Sequence, residues 1–150
     1  MKNILFALMT IFITIPVQAS ENKTHLTVSK LLTDGYIRMS EATIRKDLIG
    51  PTLIIKDLLA GSEYEAIFSA DGKSQLKKIK EDKAHTLTYA DYQGRAPLLT
   101  GFNVFTIKGD TVTTTDGIRS FTSILYKKDN VILGVRDIDN GRVYFQIKVK

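Results

Sequence analysis

Residues 106–121 read TIKGDTVTTTDGIRSF and gather the residue types that most often hold ligands: Lys108, Gly109 and Asp110, a run of threonines, and Asp116 six positions after the first aspartate. A phosphate loop needs more glycines, ending in Gly-Lys-Ser/Thr at the start of a helix, and a calcium loop needs more carboxylates at fixed spacing. Neither pattern is met. Backbone geometry accounts for the same residues: Gly109-Asp110 suits a type II′ turn between two strands, and Asp116-Gly117 suits a type I′ turn. The threonines between them favour a strand, where alternate side chains face opposite sides. The Lys-Gly-Asp tripeptide also occurs in some integrin ligands, but a tight turn is a sufficient reason for it.

Other groups that could do chemistry are sparse. The two histidines, His25 and His85, stand sixty residues apart with no HExxH-type spacing, which argues against a metal centre. No G-x-S-x-G elbow marks a nucleophile. Glu63 and Glu65 could form the carboxylate pair of a glycosidase, yet they alternate with Tyr64 and Ala66, so a solvated outer strand face explains them. The sequence therefore predicts no catalytic, metal or cofactor-binding residue, and no enzyme. Contacts are better sought in the irregular segment 89–102, YADYQGRAPLLTGF, because Tyr and Arg are enriched at binding hot spots. The expected binding residues are Tyr92 and Arg95 there, joined by Lys108 and Asp110 at the tip of a hairpin.

Regular elements must position these groups. SEATIRKDLIGP (40–51) predicts a short amphipathic helix: Ser40 can cap it, Glu41 suits its positive end, Ile44 and Leu48 share a face, and Gly50-Pro51 stop it. Residues 20–39 lack the periodicity for an assignment. From Thr52 the period becomes two, with strands expected over 52–59 and 63–69, a turn at ADGK (70–73), a strand around Leu76 and Ile79 that alternates poorly, and a short one at 86–90. Five further strands follow at 103–108, 111–115, 118–126, 131–137 and 142–150, with short connections that imply antiparallel neighbours. The expected fold is mainly β (α+β): a short N-terminal helix packed on an antiparallel meander of about eight strands, a number at which a sheet can close into a small lipocalin-like barrel.

The N-terminus has one basic residue, Lys2, an apolar run over 4–15, then Pro16 and the small residues Val17 and Ala19. That is the layout of a secretory signal peptide, too short to span a bilayer, so residues 1–19 are expected to be removed and 20–150 to form a single domain that is periplasmic or secreted. The absence of cysteine removes both a lipid-attachment site and any disulfide, so the core alone must stabilise the fold. Loss of Lys2 lowers the formal charge from +5 to +4, a modest value that favours solubility. The locally basic QLKKIKEDK (75–83) reads as a solvated strand end rather than a nucleic-acid site.

Two resemblances bear on function. The series Y-x-x-x-F-x-x-D-G (Tyr64, Phe68, Asp71, Gly72), then I-x-G-D-x-V (Ile107, Gly109, Asp110, Val112) and a terminal run of strands resembles small exported bacterial β-domains of uncharacterised function. Gly61-Ser62-Glu63-Tyr64 with FTIKGD (105–110) is similar, in part, to periplasmic lysozyme inhibitors. These imply a non-enzymatic binding domain whose partner is a protein, a lysozyme or another hydrolase among the alternatives. A lipocalin-like carrier of a small apolar ligand is the other expectation.

Overall fold

Alternation of buried and exposed side chains builds nearly the whole molecule. The computed structural model describes residues 26–81, 100–136 and 141–150. The segment expected to be a signal peptide, the strand expected at 86–90, both histidines, Tyr92 and Arg95 lie outside them. Among the described residues the order is α1 (Val28–Thr33), β1 (Ile37–Arg38), α2 (Glu41–Leu48), β2 (Thr52–Asp57), β3 (Glu63–Phe68), β4 (Lys73–Lys80), β5 (Gly101–Lys108), β6 (Thr111–Thr115), β7 (Ser120–Lys128), β8 (Val131–Arg136) and β9 (Val143–Val149).

In β3 the side chains of Tyr64, Ala66 and Phe68 are buried while Glu63, Glu65 and Ile67 face outward, and β5 buries Asn103, Phe105 and Ile107 on the same principle. Sequential neighbours from β2 to β9 pair antiparallel, and β2 then pairs with β9, as in Ile55 opposite Ile147. The result is a closed eight-stranded barrel. Closure leaves no free sheet edge around the ring, the hazard that an open sheet of this size would carry. Strand β1 is additional. It pairs with β7 at Tyr126 and Lys127, beyond Ile124 where the pairing of β6 ends.

Strand β4 alternates poorly for a structural reason. A register shift between Glu63 and Tyr64 sets Lys78 opposite Tyr64 and Lys80 opposite Glu63, and leaves Ile79 half exposed. Its Leu76, by contrast, points inward as expected.

Two apolar clusters result. The larger fills the barrel, where Phe68 and Phe105 meet edge to face with centroids 5.0 Å apart. Gly134 leaves the space that the Phe145 ring occupies, since a Cβ at that position would overlap three atoms of the ring. The smaller cluster lies on the outer wall, where Leu31 of α1 packs with Tyr126, Leu133, Val135 and Val143. Helix α1 is the element that periodicity missed. At six residues it has too few turns to show a pattern, and it depends on burying Leu31 because so short a helix is marginal in water.

The hairpin turns also refine the expectation. Gly109 has φ +61°, the left-handed value that suits the first place of a type II′ turn. The β6–β7 connection is wider than a type I′ turn. Asp116 and Arg119 close it by a backbone bond, and only Gly117 has positive φ. Asp116 Oδ1 accepts from the amides of Ile118 (3.0 Å) and Arg119 (2.7 Å), while Oδ2 accepts from the Arg119 guanidinium at 2.7 and 2.9 Å. The Arg119 amide, then its guanidinium, then the Ile118 amide hold the carboxyl at about 2.

A folded-state value below the ordinary 3.8 stabilises the fold above that pH, and the contribution is lost as pH falls toward 2. Glu41 acts in the same direction, lowered below 4.5 first by Arg45 and then by the Gly109 amide. Stability should therefore decline on acidification from about pH 4.5 to about pH 2. Urea midpoints across that range check it, and Asp116→Asn should flatten the lower half of the profile.

Candidate functional site

Antiparallel order puts the start of β2, the β5–β6 turn, the β7–β8 turn and the end of β9 at one end of the barrel. Helix α2 lies across that end. Ser40 caps it, accepting from the Thr43 amide at 3.4 Å, and Ile44 and Leu48 point into the barrel as their spacing predicted. Glu41 links helix to hairpin: its Oε1 accepts from Arg45 at 2.8 Å and its Oε2 from the Gly109 amide at 2.9 Å. Arg45 also reaches the Ile107 carbonyl at 3.4 Å. These contacts fasten the helix over one half of the opening.

Lys108 and Asp110 flank Gly109 at this capped end. Asp110 is engaged within the molecule by Arg38 at 2.6 Å, whereas Lys108 is exposed and carries no ion pair among the described residues. Because that ion pair is half exposed, Asp110→Ala should change stability by less than about 1 kcal/mol, read from the urea midpoint. Tyr92 and Arg95 fall outside the described residues. Glu81 and Thr100, which flank their segment, lie at the opposite end of the barrel from Lys108.

The other half of the capped end is a groove of about 620 Å³. One wall is the end of α2 and the chain leaving it, with Lys46, Asp47 and Pro51. The opposite wall is formed by Lys127, Asn130, Val131 and Ile132 around the β7–β8 turn, and by Ile147, Lys148 and Val149 of β9. Asp47 Oδ2 and Lys127 Nζ meet across it at 2.7 Å. Lys46 and Lys148 are exposed and have no ion pair among the described residues. The groove thus combines an apolar floor with a cationic rim.

These residues come from three distant segments, each of which reads as ordinary solvated sequence by itself. The only local signal is the alternation of Ile147, Lys148, Val149 and Lys150 at the end of β9.

Among the described residues the barrel interior holds a smaller space. A cavity of about 40 Å³ lies among Leu48, Ile55, Phe68, Leu76, Val112, Thr114, Phe121, Ser123, Leu125 and Phe145. That is room for a few water molecules, at roughly 10–15 Å³ each. Toward the uncapped end, the buried Arg136 guanidinium stacks 4.7 Å from the Phe121 ring centre and 5.5 Å from that of Tyr144, with Arg142 5.7 Å from Tyr144. Cationic side chains lying on aromatic faces place buried polar groups at this end. In the turn after β2, Asp57 Oδ1 accepts from the amides of Leu59 and Ala60 at 2.8 and 2.9 Å.

Phe102 and Val104 on the outer face of β5 are 81% and 54% exposed, and Ile118 in the β6–β7 turn is 94% exposed. Among the described residues no helix is long and apolar enough to cross a membrane, and no cluster of His, Cys, Asp or Glu could hold a metal ion.

No family model, no curated protein and no solved structure matches the chain.

Proposed function

We propose that this protein is an exported, non-enzymatic binding domain that takes a small ligand in the groove at the helix-capped end of its barrel. The observation that carries the reading is the contrast in volume: about 620 Å³ in the groove and about 40 Å³ inside the barrel. Ligand pockets span roughly 300–1,000 Å³, so the groove has ligand size and the interior cavity among the described residues does not. A carrier of the lipocalin type would hold its ligand among the inward side chains, where Phe145, Phe121 and Leu125 leave a cavity of about 40 Å³ among the described residues. The groove is lined by apolar side chains, lysines and an ion-paired aspartate, a composition suited to holding a molecule rather than transforming it. Export rests on the charged, apolar and small-residue layout of residues 1–19.

Calorimetric titration with octyl glucoside, a neutral single-chain amphiphile, below its micelle concentration tests the site. Saturable binding is expected, and it should be lost in Asn130→Trp, which fills the groove from the β7–β8 turn. Binding that survives Asn130→Trp would return the ligand to the interior.

A second reading, a domain that contacts another protein, is favoured by the exposure of Phe102 and Val104 on the outer wall and of Ile118 in the β6–β7 turn. Isolated apolar side chains are common on surfaces, but two of these are large and almost fully solvated. A lysozyme or other hydrolase is the partner class that the sequence resemblance suggests. Sedimentation of the protein with a lysozyme checks it: a complex that Phe102→Ser and Ile118→Ser together abolish supports this reading, and two independently sedimenting species oppose it.

A further inference from the structure

Resting on the groove as the binding site, we infer that its ligand is an amphipathic anion, specifically a single-chain alkyl carboxylate. Two features of the groove converge on that chemistry. The first is the apolar floor. Ile132 and Ile147 are cross-strand partners in the β8–β9 ladder, Val149 on the same face of β9 as Ile147 extends the strip to the rim, and Val131, on the opposite face of β8 from Ile132, borders it from the outer side. Val149 is 61% exposed although it ends a strand that is otherwise largely buried, which is the position of a side chain awaiting an apolar neighbour. The wall that carries it is firmly placed. The next residue, Lys150, donates its amide to the Thr52 carbonyl at 2.9 Å and its ammonium to Glu65 at 2.6 Å, on the side away from the groove.

The second feature is charge. Three lysines line the groove against one carboxylate, and that carboxylate, Asp47, is already held by Lys127. Lys46 on the helix wall and Lys148 on the strand wall are left to receive a negative headgroup. An alkyl chain lying on the floor places its carboxylate at the rim between them, whereas an ammonium headgroup meets the same two charges as repulsion. Chain length adds affinity by burial, about twofold to fourfold for each methylene that leaves water.

The test uses the full mature protein, labelled with ¹⁵N, and three probes at pH 7.5 below their micelle concentrations: decanoate, decyltrimethylammonium and acetate. Decanoate should shift the amides of Val131, Ile132, Lys148 and Val149 saturably. Decyltrimethylammonium should bind at least about fivefold more weakly, and acetate should shift none of them. In Lys46→Gln/Lys148→Gln, decanoate affinity should fall about fivefold to tenfold, the combined effect of two exposed charges, while octyl glucoside binding stays unchanged. Neither lysine holds an ion pair among the described residues, so the variant should keep the wild-type melting temperature.

Equal binding of the two charged amphiphiles, or full decanoate affinity in the double variant, overturns the anion assignment while saturable octyl glucoside binding in the groove would leave the site standing. If none of the three amphiphiles shifts the groove amides, both the assignment and the site fall.

Discussion

Gly134→Ala is expected to lower stability by about 2–3 kcal/mol, a large effect for a single added methyl. Gly-to-Ala changes at permissive positions usually stabilise by about 0.4–1 kcal/mol, because alanine has less freedom to lose on folding. The backbone of Gly134 lies outside the positive-φ region, so nothing in its conformation forbids alanine. The obstacle is the Phe145 ring, three atoms of which occupy the place of the new Cβ. Phe145 is itself enclosed: it is 5% exposed and sits 6.0 Å from Phe121.

Relief would require the ring to leave its site in the middle of the barrel, or β8 to shift against β9 near the existing irregularity between Gly134 and Val135. Shortening the partner should therefore rescue the variant. In a double-mutant cycle with Phe145→Leu, the two substitutions should couple by at least about 1 kcal/mol, the double variant being less destabilised than the sum of the singles. Urea unfolding of the four proteins measures this. A Gly134→Ala protein as stable as wild type would contradict the packing described.

Leu48→Ala should cost a comparable amount, about 3 kcal/mol. The range for such truncations is about 2–5 kcal/mol, set by how far the surroundings collapse into the space left. Leu48 is 2% exposed and already borders the interior cavity, so its removal enlarges an existing void rather than creating one that neighbours could close. The helix also suffers directly. At eight residues α2 cannot persist without its docked face, and Leu48 is one of the two side chains by which that face is buried. Urea unfolding should show a lowered midpoint with an unchanged slope, and amide exchange should rise most over 41–48. A loss below about 1 kcal/mol would mean that the helix is held mainly by the Glu41–Gly109 bond and the Asp47–Lys127 pair, which is not expected of polar contacts near the surface.

Most strands of this fold were legible because they kept a two-residue period, whereas β4 alternates poorly and the two-residue β1 carries no period to read. TVTTT is β6 as read, and Tyr64, Ala66 and Phe68 share the inner face of β3 as read. Helix α2 announced itself through Ser40, the Ile44/Leu48 pair and Gly50-Pro51. Closure was open in the sequence, because it rests on Leu53, Ile55 and Asp57 finding Val149, Ile147 and Phe145 at the far C-terminal end of the chain. Local pattern carries no record of such a pairing.

The hairpin tip was legible as a turn, but neither of its expected contact residues lines the groove. Lys108 and Asp110 stand where the Gly109 turn puts them, although Asp110 is engaged by Arg38 rather than left wholly to solvent. The groove was invisible for the same reason as closure. Lys46, Lys127 and Lys148 each sit in polar surroundings along the chain and become a cationic rim only when α2 crosses the ends of β7 and β9.

The central claim is that the ligand lies outside the filled barrel, beside α2, and methyl-selective NMR addresses it most directly. With Ile, Leu and Val methyls labelled, octyl glucoside should shift Val131, Ile132, Ile147 and Val149, which line the groove. It should leave Ile55, Leu76, Val112 and Leu125, which line the interior cavity, in place. Saturable shifts confined to the interior four would contradict the account and make the barrel itself the binding chamber.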